Sequence, residues 1–331
     1  MSVPSGTHIA FPYVDEHERA SFLFAYVKAG LENGEQCATA VMEYTRDYWL
    51  EGLGTLGIAA EPLLGKQLII LGPMELYQSI KTIPERISRM SMEAAEDGWK
   101  GLRICTSMTP LLQQPDKLPL LLQAEVGNCR MLAGSHALLV CTFGRRRLHE
   151  RVLDECLRIH PTLIVGNELQ PNPRYIEHEA YERELSGNLR ELEETGALIP
   201  PFATLDFTGE IPVLKAIGEM DAFTSPQFED LGRSICLVGH KSLVVDLSRA
   251  PFLDAAAIGT ILRLNNAVRS KAGRMAVYDP ERPLRRIFQI IHMDQLIAIR
   301  HSFEEALEEV RAELRGETSG FAVQAVSPRE S

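Results

Sequence analysis

Residues 241–273, KSLVVDLSRAPFLDAAAIGTILRLNNAVRSKAG, contain the pattern that decides the fold of the C-terminal part of the chain. The branched apolar run 243–245 is typical of a strand that is buried on both faces. After Pro251, Asp254 suits a helix N-cap, because its carboxylate can accept from the free N–H groups of the next turn. Apolar residues then recur at helical spacing as far as Gly273, a residue suited to a C-cap. The stretch predicts a strand, a tight loop and a helix whose N-terminus lies where open α/β sheets usually place function.

The segment VVDLSRAPFLDAAAIGTIL within this stretch resembles the core motif of STAS domains, which sulfate transporters and anti-sigma factor antagonists share. Further segments resemble the first strand (211–214), the first helix (228–237), a later strand (274–278) and the closing helix (283–290) of that family. The resemblance covers roughly the last third of the chain. It implies a partner that is an anti-sigma factor or an ATPase-fold serine kinase. It also implies a docking surface made of Ser248, Phe252, Asp254, Ala255, Ala256 and Gly259.

One position departs from the pattern of STAS antagonists that are regulated by phosphorylation. In that family the residue after the motif aspartate is a serine or threonine that a partner kinase phosphorylates. Here Ala255 stands at this position and Ala256 follows it. Alanine has no hydroxyl, so the usual addition of roughly two negative charges at this helix start is absent. The resemblance therefore implies that partner binding is controlled in another way.

Composition and charge exclude several classes of protein. The chain has 331 residues, enough for two domains, and its formal net charge of −11 disfavours non-specific binding to nucleic acid. No apolar run is long enough to span a bilayer, and the first residues lack the pattern of a signal peptide, so we expect a cytoplasmic protein without membrane contact. The six cysteines form no C-x-x-C pair, and none has a histidine at zinc-ligand spacing. We therefore expect buried free thiols and no metal site.

Residues 7–184 alternate buried strands with helices, which is the sequence form of a mostly parallel, doubly wound sheet. The opening HIAFPYVDEHERASFLFAYVKAGLENGEQCATAV (8–41) resembles the MEDS domain of methanogen and methylotroph sensory regulators. The segment RIHPTLIVGNELQPNPRYI (158–176) resembles the end of that domain. The resemblance implies a degenerate, RecA-like relative of P-loop ATPases that senses small molecules.

The chemistry of a P-loop is missing from this domain. The nearest glycine-rich turn, 30–34, has no lysine or hydroxyl after it to hold phosphates. We therefore expect no catalytic residues and no required cofactor, although a nucleotide or small molecule could still bind at a sheet edge. The candidate ligand-binding residues are His8, Tyr13, Cys37 and Glu43. The alternative for His8 is a hydrogen-bonded histidine that holds the first strand to the first helix.

The connection between the domains is predicted at residues 185–199. Leu185, Leu189 and Leu192 recur at helical spacing in a strongly charged segment. This pattern predicts a helix that either pairs with a second copy in a homodimer or is a solvated linker. The STAS domain is then expected at 200–316, followed by a polar, disordered tail at 317–331.

These predictions together describe a non-catalytic bacterial signalling protein. The N-terminal domain would sense a small molecule or another protein, and the C-terminal domain would dock on a regulator of transcription. Two alternatives follow from the same sequence. One is a residual nucleotide-binding or ATPase enzyme in the N-terminal domain, and the other is a ligand-free scaffold in a signalling complex.

Overall fold

The N-terminal sheet has seven strands and is mostly parallel. The computed structural model describes residues 6–72, 75–166, 168–199, 201–279 and 282–314. The strand order is β3-β2-β4-β5-β1-β6-β7, and every pairing is parallel except that of β7 with β6. The strands are β1 (Thr7–Tyr13), β2 (Gln36–Ala40), β3 (Leu68–Ile70), β4 (Leu102–Ser107), β5 (Ala137–Gly144), β6 (Thr162–Val165) and β7 (Glu168–Pro171).

Helices cover both faces of this sheet. One apolar core lies beneath α1 (Glu16–Asn33) and α2 (Arg46–Thr55). The other face carries α3 (Ile83–Glu96), α4 (Thr109–Leu112), α5 (Leu118–Leu132), α6 (Glu150–Arg158) and α7 (His178–Glu194). The predicted doubly wound, mostly parallel sheet is thus confirmed.

The central strand β1 sends alternate side chains to these two cores, as the pleat of a strand requires. Phe11 and Tyr13 lie in the core beneath α1 and α2. Ala10 lies in the core on the opposite face, and His8 points the same way, because its ring contacts Cys141 of that second core. His8 and Tyr13 therefore face opposite sides of the sheet.

The C-terminal sheet has the order β12-β11-β10-β9-β8, parallel except for β8, which is antiparallel to β9. Its strands are β8 (Ala203–Thr208), β9 (Ile211–Ile217), β10 (Ser242–Arg249), β11 (Arg274–Tyr278) and β12 (Ala298–Arg300). Its helices are α8 (Ser225–Leu237), α9 (Ala255–Arg269), α10 (Arg282–Ile290) and α11 (Phe303–Leu314). Residues 242–247 of β10 are all buried, so the predicted central strand is confirmed.

Helix α7 crosses the boundary that we drew at residue 184. Its side chains Tyr181, Leu185 and Leu192 are buried, and the helix packs against α5 and α6 of its own chain. Tyr181 also donates a hydrogen bond to Glu155 of α6, at 3.0 Å. The leucines that suggested pairing between copies are therefore used inside the chain, and a solvated linker is not what the helix forms. The predicted tail at 317–331 lies outside the described residues.

Hydrogen bonds between loops join the two domains. The backbone N–H of Thr45 donates to the Val238 carbonyl at 3.2 Å, and the His240 ring donates through Nε2 to the Glu43 carbonyl at 3.0 Å. The apolar core on the α5 side of the first sheet continues into the second domain. Among the described residues no helix is long and apolar enough to cross a membrane.

Candidate functional site

The predicted docking loop begins where β10 leaves the sheet. The pairing of β10 with β9 shifts register between Asp246 and Arg249, which is the signature of a bulge. The Asp246 carboxylate accepts from the N–H of Ser248 at 2.8 Å and so fixes the turn at the bulge. Ser248 is half-buried there. The loop therefore leaves the sheet in a defined direction.

Asp254 joins the start of α9 to the loop before α8. Its Oδ1 accepts from the N–H of Ala257 at 2.9 Å, which confirms the predicted N-cap. Its Oδ2 accepts from the N–H of Ala222 at 3.1 Å. One carboxylate thus holds two loops side by side. We expect substitution of Asp254 to perturb folding as well as any binding.

Two phenylalanine side chains are exposed around this helix start. Ala255 is exposed as the first residue of α9, Phe252 is 49% exposed and Phe223 is 89% exposed. The Asp221 carboxylate accepts from the N–H groups of Thr224 and Phe223 at 3.0 and 2.8 Å, and these hydrogen bonds lower the pKa of Asp221. The backbone of Phe223 is thus fixed while its ring lies in solvent. Sequence analysis missed Phe223, although a large apolar residue in a turn is a usable signal.

A shallow cleft of about 250 Å³ lies beside this surface, between α8 and α9. Ala256 and Thr260 line its α9 side. On the α8 side, Glu229 pairs with Arg263 at 2.7 Å, and this hydrogen bond lowers the pKa of Glu229. Gly259 is half-buried, and a Cβ there would lie 3.1 Å from Arg263 Nη1. Of the six predicted docking residues, Phe252 and Ala255 are therefore exposed, whereas Ser248, Asp254, Ala256 and Gly259 are half-buried.

The four predicted ligand-binding residues of the N-terminal domain do not share one pocket. His8 lies on the opposite face of the sheet from Tyr13. Cys37 lies in the core beneath α1, with its sulfur 3.5 Å from the Val27 carbonyl of that helix. Tyr13 and Glu43 do come together, through a residue that sequence analysis did not single out.

That residue is Arg19, which is completely buried. Its guanidinium donates to both carboxylate oxygens of Glu43, at 2.9 and 3.1 Å, and to the Tyr13 hydroxyl at 3.3 Å. Burial alone would raise the pKa of the Glu43 carboxyl, but Arg19 outweighs it and holds that pKa below its ordinary value. The usable signal was helical spacing, since Arg19 lies on the same face of α1 as Leu23 and Tyr26.

A cleft of about 790 Å³ lies between the two domains, close to this ion pair. Tyr13, Glu16 and Arg147 line it from the first domain, and Ser234 of α8 lines it from the second. The Arg147 guanidinium donates to the Ser234 hydroxyl at 2.8 Å and lies 3.8 Å from the Glu16 carboxylate. Arg147, the last residue of the basic run 145–147, therefore bridges the two domains.

His8 belongs to a different group of side chains on the α5 side of the sheet. It lies with Glu125, Cys141 and His160, and one potential ligand atom from each residue lies within 4.8 Å of the others. All four side chains are buried. Burial lowers the pKa of His8 to about 4. Sequence spacing had predicted no metal site, yet four potential metal ligands from distant parts of the chain meet here.

Comparison with known families identifies both halves of the chain. The family model described as "MEthanogen/methylotroph, DcmR Sensory domain" (MEDS) matches residues 7–161, and the model of the STAS domain matches residues 203–306. The chain therefore carries a MEDS domain followed by a STAS domain, in the predicted order. A Thermotoga neapolitana protein described as a candidate anti-sigma factor antagonist is 29% identical over 73 residues, or 22% of this chain and 65% of that protein. The chain thus spans less than two thirds of the length of this curated relative.

Solved structures are also similar to parts of the chain. An anti-sigma factor antagonist from Mycobacterium paratuberculosis is 21% identical, with a TM-score of 0.30 over 33% of this chain and 92% of that one. The phosphorylated form of Bacillus SpoIIAA is 23% identical, with a TM-score of 0.29 over 33% and 99%. The flagellar accessory protein FlaH from Methanocaldococcus jannaschii is 15% identical, with a TM-score of 0.35 over 50% and 76%.

Proposed function

We propose that this chain, in which a MEDS domain precedes a STAS domain, is a non-catalytic signalling protein that acts as an anti-sigma factor antagonist. Its STAS domain would bind an anti-sigma factor or a related ATPase-fold kinase and so control transcription. The curated relatives that match part of the chain are described as candidate anti-sigma factor antagonists, which supports this class of partner. The MEDS domain would sense a small molecule, such as a nucleotide, or another protein.

The surface at the start of α9 is the observation that carries the proposal. Phe223 and Phe252 expose large apolar side chains on two adjacent loops at a helix N-terminus whose first residue, Ala255, is itself exposed. Aromatic side chains that are already held by a fixed backbone lose little entropy on binding and often dominate an interface. Asp254 supports this surface by holding both loops. Because Ala255 cannot be phosphorylated, the surface stays uncharged at the position where the family places its switch.

Control would then come from the first domain through α8. This helix contacts Arg147 of the MEDS domain through Ser234 near its end. Its first turn supplies Ser225 and Pro226 to the cleft beside the docking surface. A small molecule in the larger cleft of about 790 Å³ would contact both domains at once. Ligand binding would therefore alter α8, and α8 borders the surface that the partner contacts.

Binding of the full chain to the anti-sigma factors of its own organism tests the proposal. We compare the wild type with Ala255→Glu, measured by biolayer interferometry or titration calorimetry. Glutamate in the first turn of a helix is favourable toward the helix dipole, so this substitution leaves the fold stable. It nevertheless imitates part of the charge of a phosphoserine. Ala95→Glu is the matched control, because Ala95 is an exposed alanine on α3 of the other domain.

The proposal expects that at least one anti-sigma factor binds the wild type and the Ala95→Glu variant equally well. Ala255→Glu should weaken that binding at least tenfold, which corresponds to about 1.4 kcal/mol. Binding that tolerates Ala255→Glu would place the partner elsewhere on the domain. If no anti-sigma factor or ATPase-fold kinase binds the wild type, the antagonist function is wrong.

A further inference from the structure

We propose that His8, Glu125, Cys141 and His160 bind one divalent transition-metal ion inside the MEDS domain, and that zinc fits the ligand set best. The four residues come from β1, α5, β5 and the loop after α6. This inference does not depend on the partner of the STAS domain, because the ligands lie in the other domain and metal binding is measured directly.

The spacing of the ligand atoms matches a tetrahedral ion. In such a site, bonds of about 2.0–2.3 Å place neighbouring ligand atoms roughly 3.3–3.7 Å apart. Glu125 Oε2 lies 3.0 Å from His160 Nε2 and 3.3 Å from His8 Nε2. His8 Nε2 also lies 3.3 Å from the Cys141 sulfur. These three edges are close to those of a coordination tetrahedron, and all four ligand atoms lie within 4.8 Å of one another, so the side chains would have to draw together around an ion.

The hydrogen bond on the outer side of His160 directs the other nitrogen of its ring toward the centre of the group. Nδ1 of His160 lies 2.8 Å from the Cys156 carbonyl, which can only accept, so the ring carries a proton on Nδ1. The other ring nitrogen, Nε2, lies 3.0 Å from Oε2 of the Glu125 carboxylate and is the atom available to a metal. Within the described part of the chain, neither Glu125 Oε2 nor His160 Nε2 has a hydrogen-bond partner, and both atoms are buried. A cation between them resolves this arrangement.

Contacts on the outer side of the ligands hold them in place. Nδ1 of His8 lies 3.1 Å from the sulfur of Cys129, which is itself 3.1 Å from the Ile159 carbonyl. That carbonyl can accept the thiol proton, so the sulfur is free to accept from His8 Nδ1–H, and Nε2 of His8 points inward with its lone pair. The other oxygen of Glu125 accepts from the Asn128 amide at 3.3 Å. Metal-binding histidines are oriented in this way in known sites.

The donor set selects the class of metal. Two imidazoles, a thiolate and a carboxylate suit zinc and its chemical neighbours, whereas calcium and magnesium prefer oxygen ligands alone. Four protein ligands in a buried position are also typical of structural zinc sites, while catalytic sites keep one position open. The geometry thus points to an ion that stabilises the MEDS domain and ties β1, α5 and β5 together.

The test uses untagged full-length protein, stripped with a chelator and then titrated with Zn²⁺ or with Co²⁺ as a spectroscopic probe. We expect one equivalent of metal per chain. Bound Co²⁺ should give the intense visible absorption of tetrahedral geometry and a near-ultraviolet band from sulfur to cobalt. The key variant is Cys141→Ala, and Cys105→Ala is its matched control because Cys105 is a buried cysteine in the other core of the same sheet.

The expected result is that Cys141→Ala loses the sulfur band and binds metal at least roughly 100-fold more weakly, since loss of a direct ligand should exceed the effect of an outer partner. Cys105→Ala should keep both. A wild-type chain that binds no metal in a saturable way overturns the site, as does a sulfur band that Cys141→Ala retains. If Cys141→Ala fails to fold, X-ray absorption of the wild-type zinc protein decides. One sulfur and three nitrogen or oxygen neighbours support the site, and a shell without sulfur overturns it.

Discussion

Gly239 follows α8 at the point where the two domains meet, and it leaves no room for a side chain. Its backbone has φ +101°, and a Cβ there would overlap Thr45 Oγ1 and lie 3.2 Å from Tyr48 Cβ. Thr45 makes two hydrogen bonds to the Val238 carbonyl, from its N–H at 3.2 Å and from its hydroxyl at 3.3 Å. We predict that Gly239→Ala forces Thr45 away and weakens the interface between the domains.

The expected size of the effect follows from these contacts. A non-glycine residue in the left-handed region costs about 1–2 kcal/mol. Displacing a packed neighbour costs about 1–3 kcal/mol more, which includes part of the two lost hydrogen bonds at about 1 kcal/mol each. Gly218 is the control, because it has φ +91° and a Cβ there would meet no described atom within 4 Å. Gly218→Ala should therefore show only the first cost, and Gly239→Ala should be about 1–3 kcal/mol less stable than it.

Differential scanning calorimetry of the full chain measures this difference. At about 2–4 °C per kcal/mol for domains of this size, Gly239→Ala should melt roughly 2–12 °C below Gly218→Ala. Adding Thr45→Ala removes the overlapping hydroxyl, although it also removes the N-cap of α2, which accepts from Tyr48 N–H at 3.2 Å. The double variant should be less destabilised than the sum of the two single changes. Equal melting of the Gly218→Ala and Gly239→Ala proteins would refute the close contact between the domains.

Two further predictions concern the buried groups near this interface. Glu43→Gln should lower the free energy of unfolding by about 3–5 kcal/mol in urea titrations, because the buried Arg19 guanidinium loses its bidentate partner and keeps only the Glu16 carboxylate, at 3.4 Å. Glu229→Gln, which breaks exposed pairs, should cost about 1 kcal/mol or less. Equal losses in the two variants would contradict the importance of the buried pair. Burial lowers the pKa of His240 in the folded protein to about 4 from an ordinary value of 6.5, so the unfolded chain binds the extra proton first. The contribution of His240 to stability should therefore be full above pH 6.5 and fall as the pH drops toward 4. His240→Gln can still donate to the Glu43 carbonyl, and it should reduce the pH dependence of the free energy of unfolding in urea titrations. An unchanged pH dependence would contradict a neutral, buried His240.

Features that depend on neighbouring residues could be predicted from the sequence. A run of branched apolar residues predicted strand β10. Asp254 caps α9, as its position before the apolar repeat indicated. These features depend on interactions within a few residues, so a short segment contains the information. The order of the two domains was equally readable, since each carries local motifs.

Features that depend on which surfaces meet could not be predicted in this way. The leucines of α7 revealed an apolar stripe, but a stripe does not say whether a second copy or the same chain covers it, and α5 and α6 cover it here. The group around His8 is set by the register of β1 against β5, which pairs His8 with Leu139, and by the path of α5 across the sheet. The spacing of cysteines and histidines along the chain does not indicate that these side chains come together in the fold. Arg19 was missed for a related reason, because its partner Glu43 follows a different strand.

Strand β5 connects the proposed metal site to the interface between the domains. Strand β5 contains Cys141 and ends at Gly144, just before Arg147 donates to Ser234 of α8. His160 packs edge-on against Phe143 of the same strand, with ring centroids 5.4 Å apart. An ion that holds Cys141 and His160 therefore fixes β5 on the side from which Arg147 leaves it. Because α8 borders the proposed docking surface, we expect removal of the ion to change partner binding by the STAS domain through Arg147. An Arg147→Met variant should separate metal binding from its influence on partner affinity. Metal would still bind, but partner affinity would no longer differ between the metal-loaded and metal-free chains. A difference that persists in Arg147→Met would mean that the coupling takes another route.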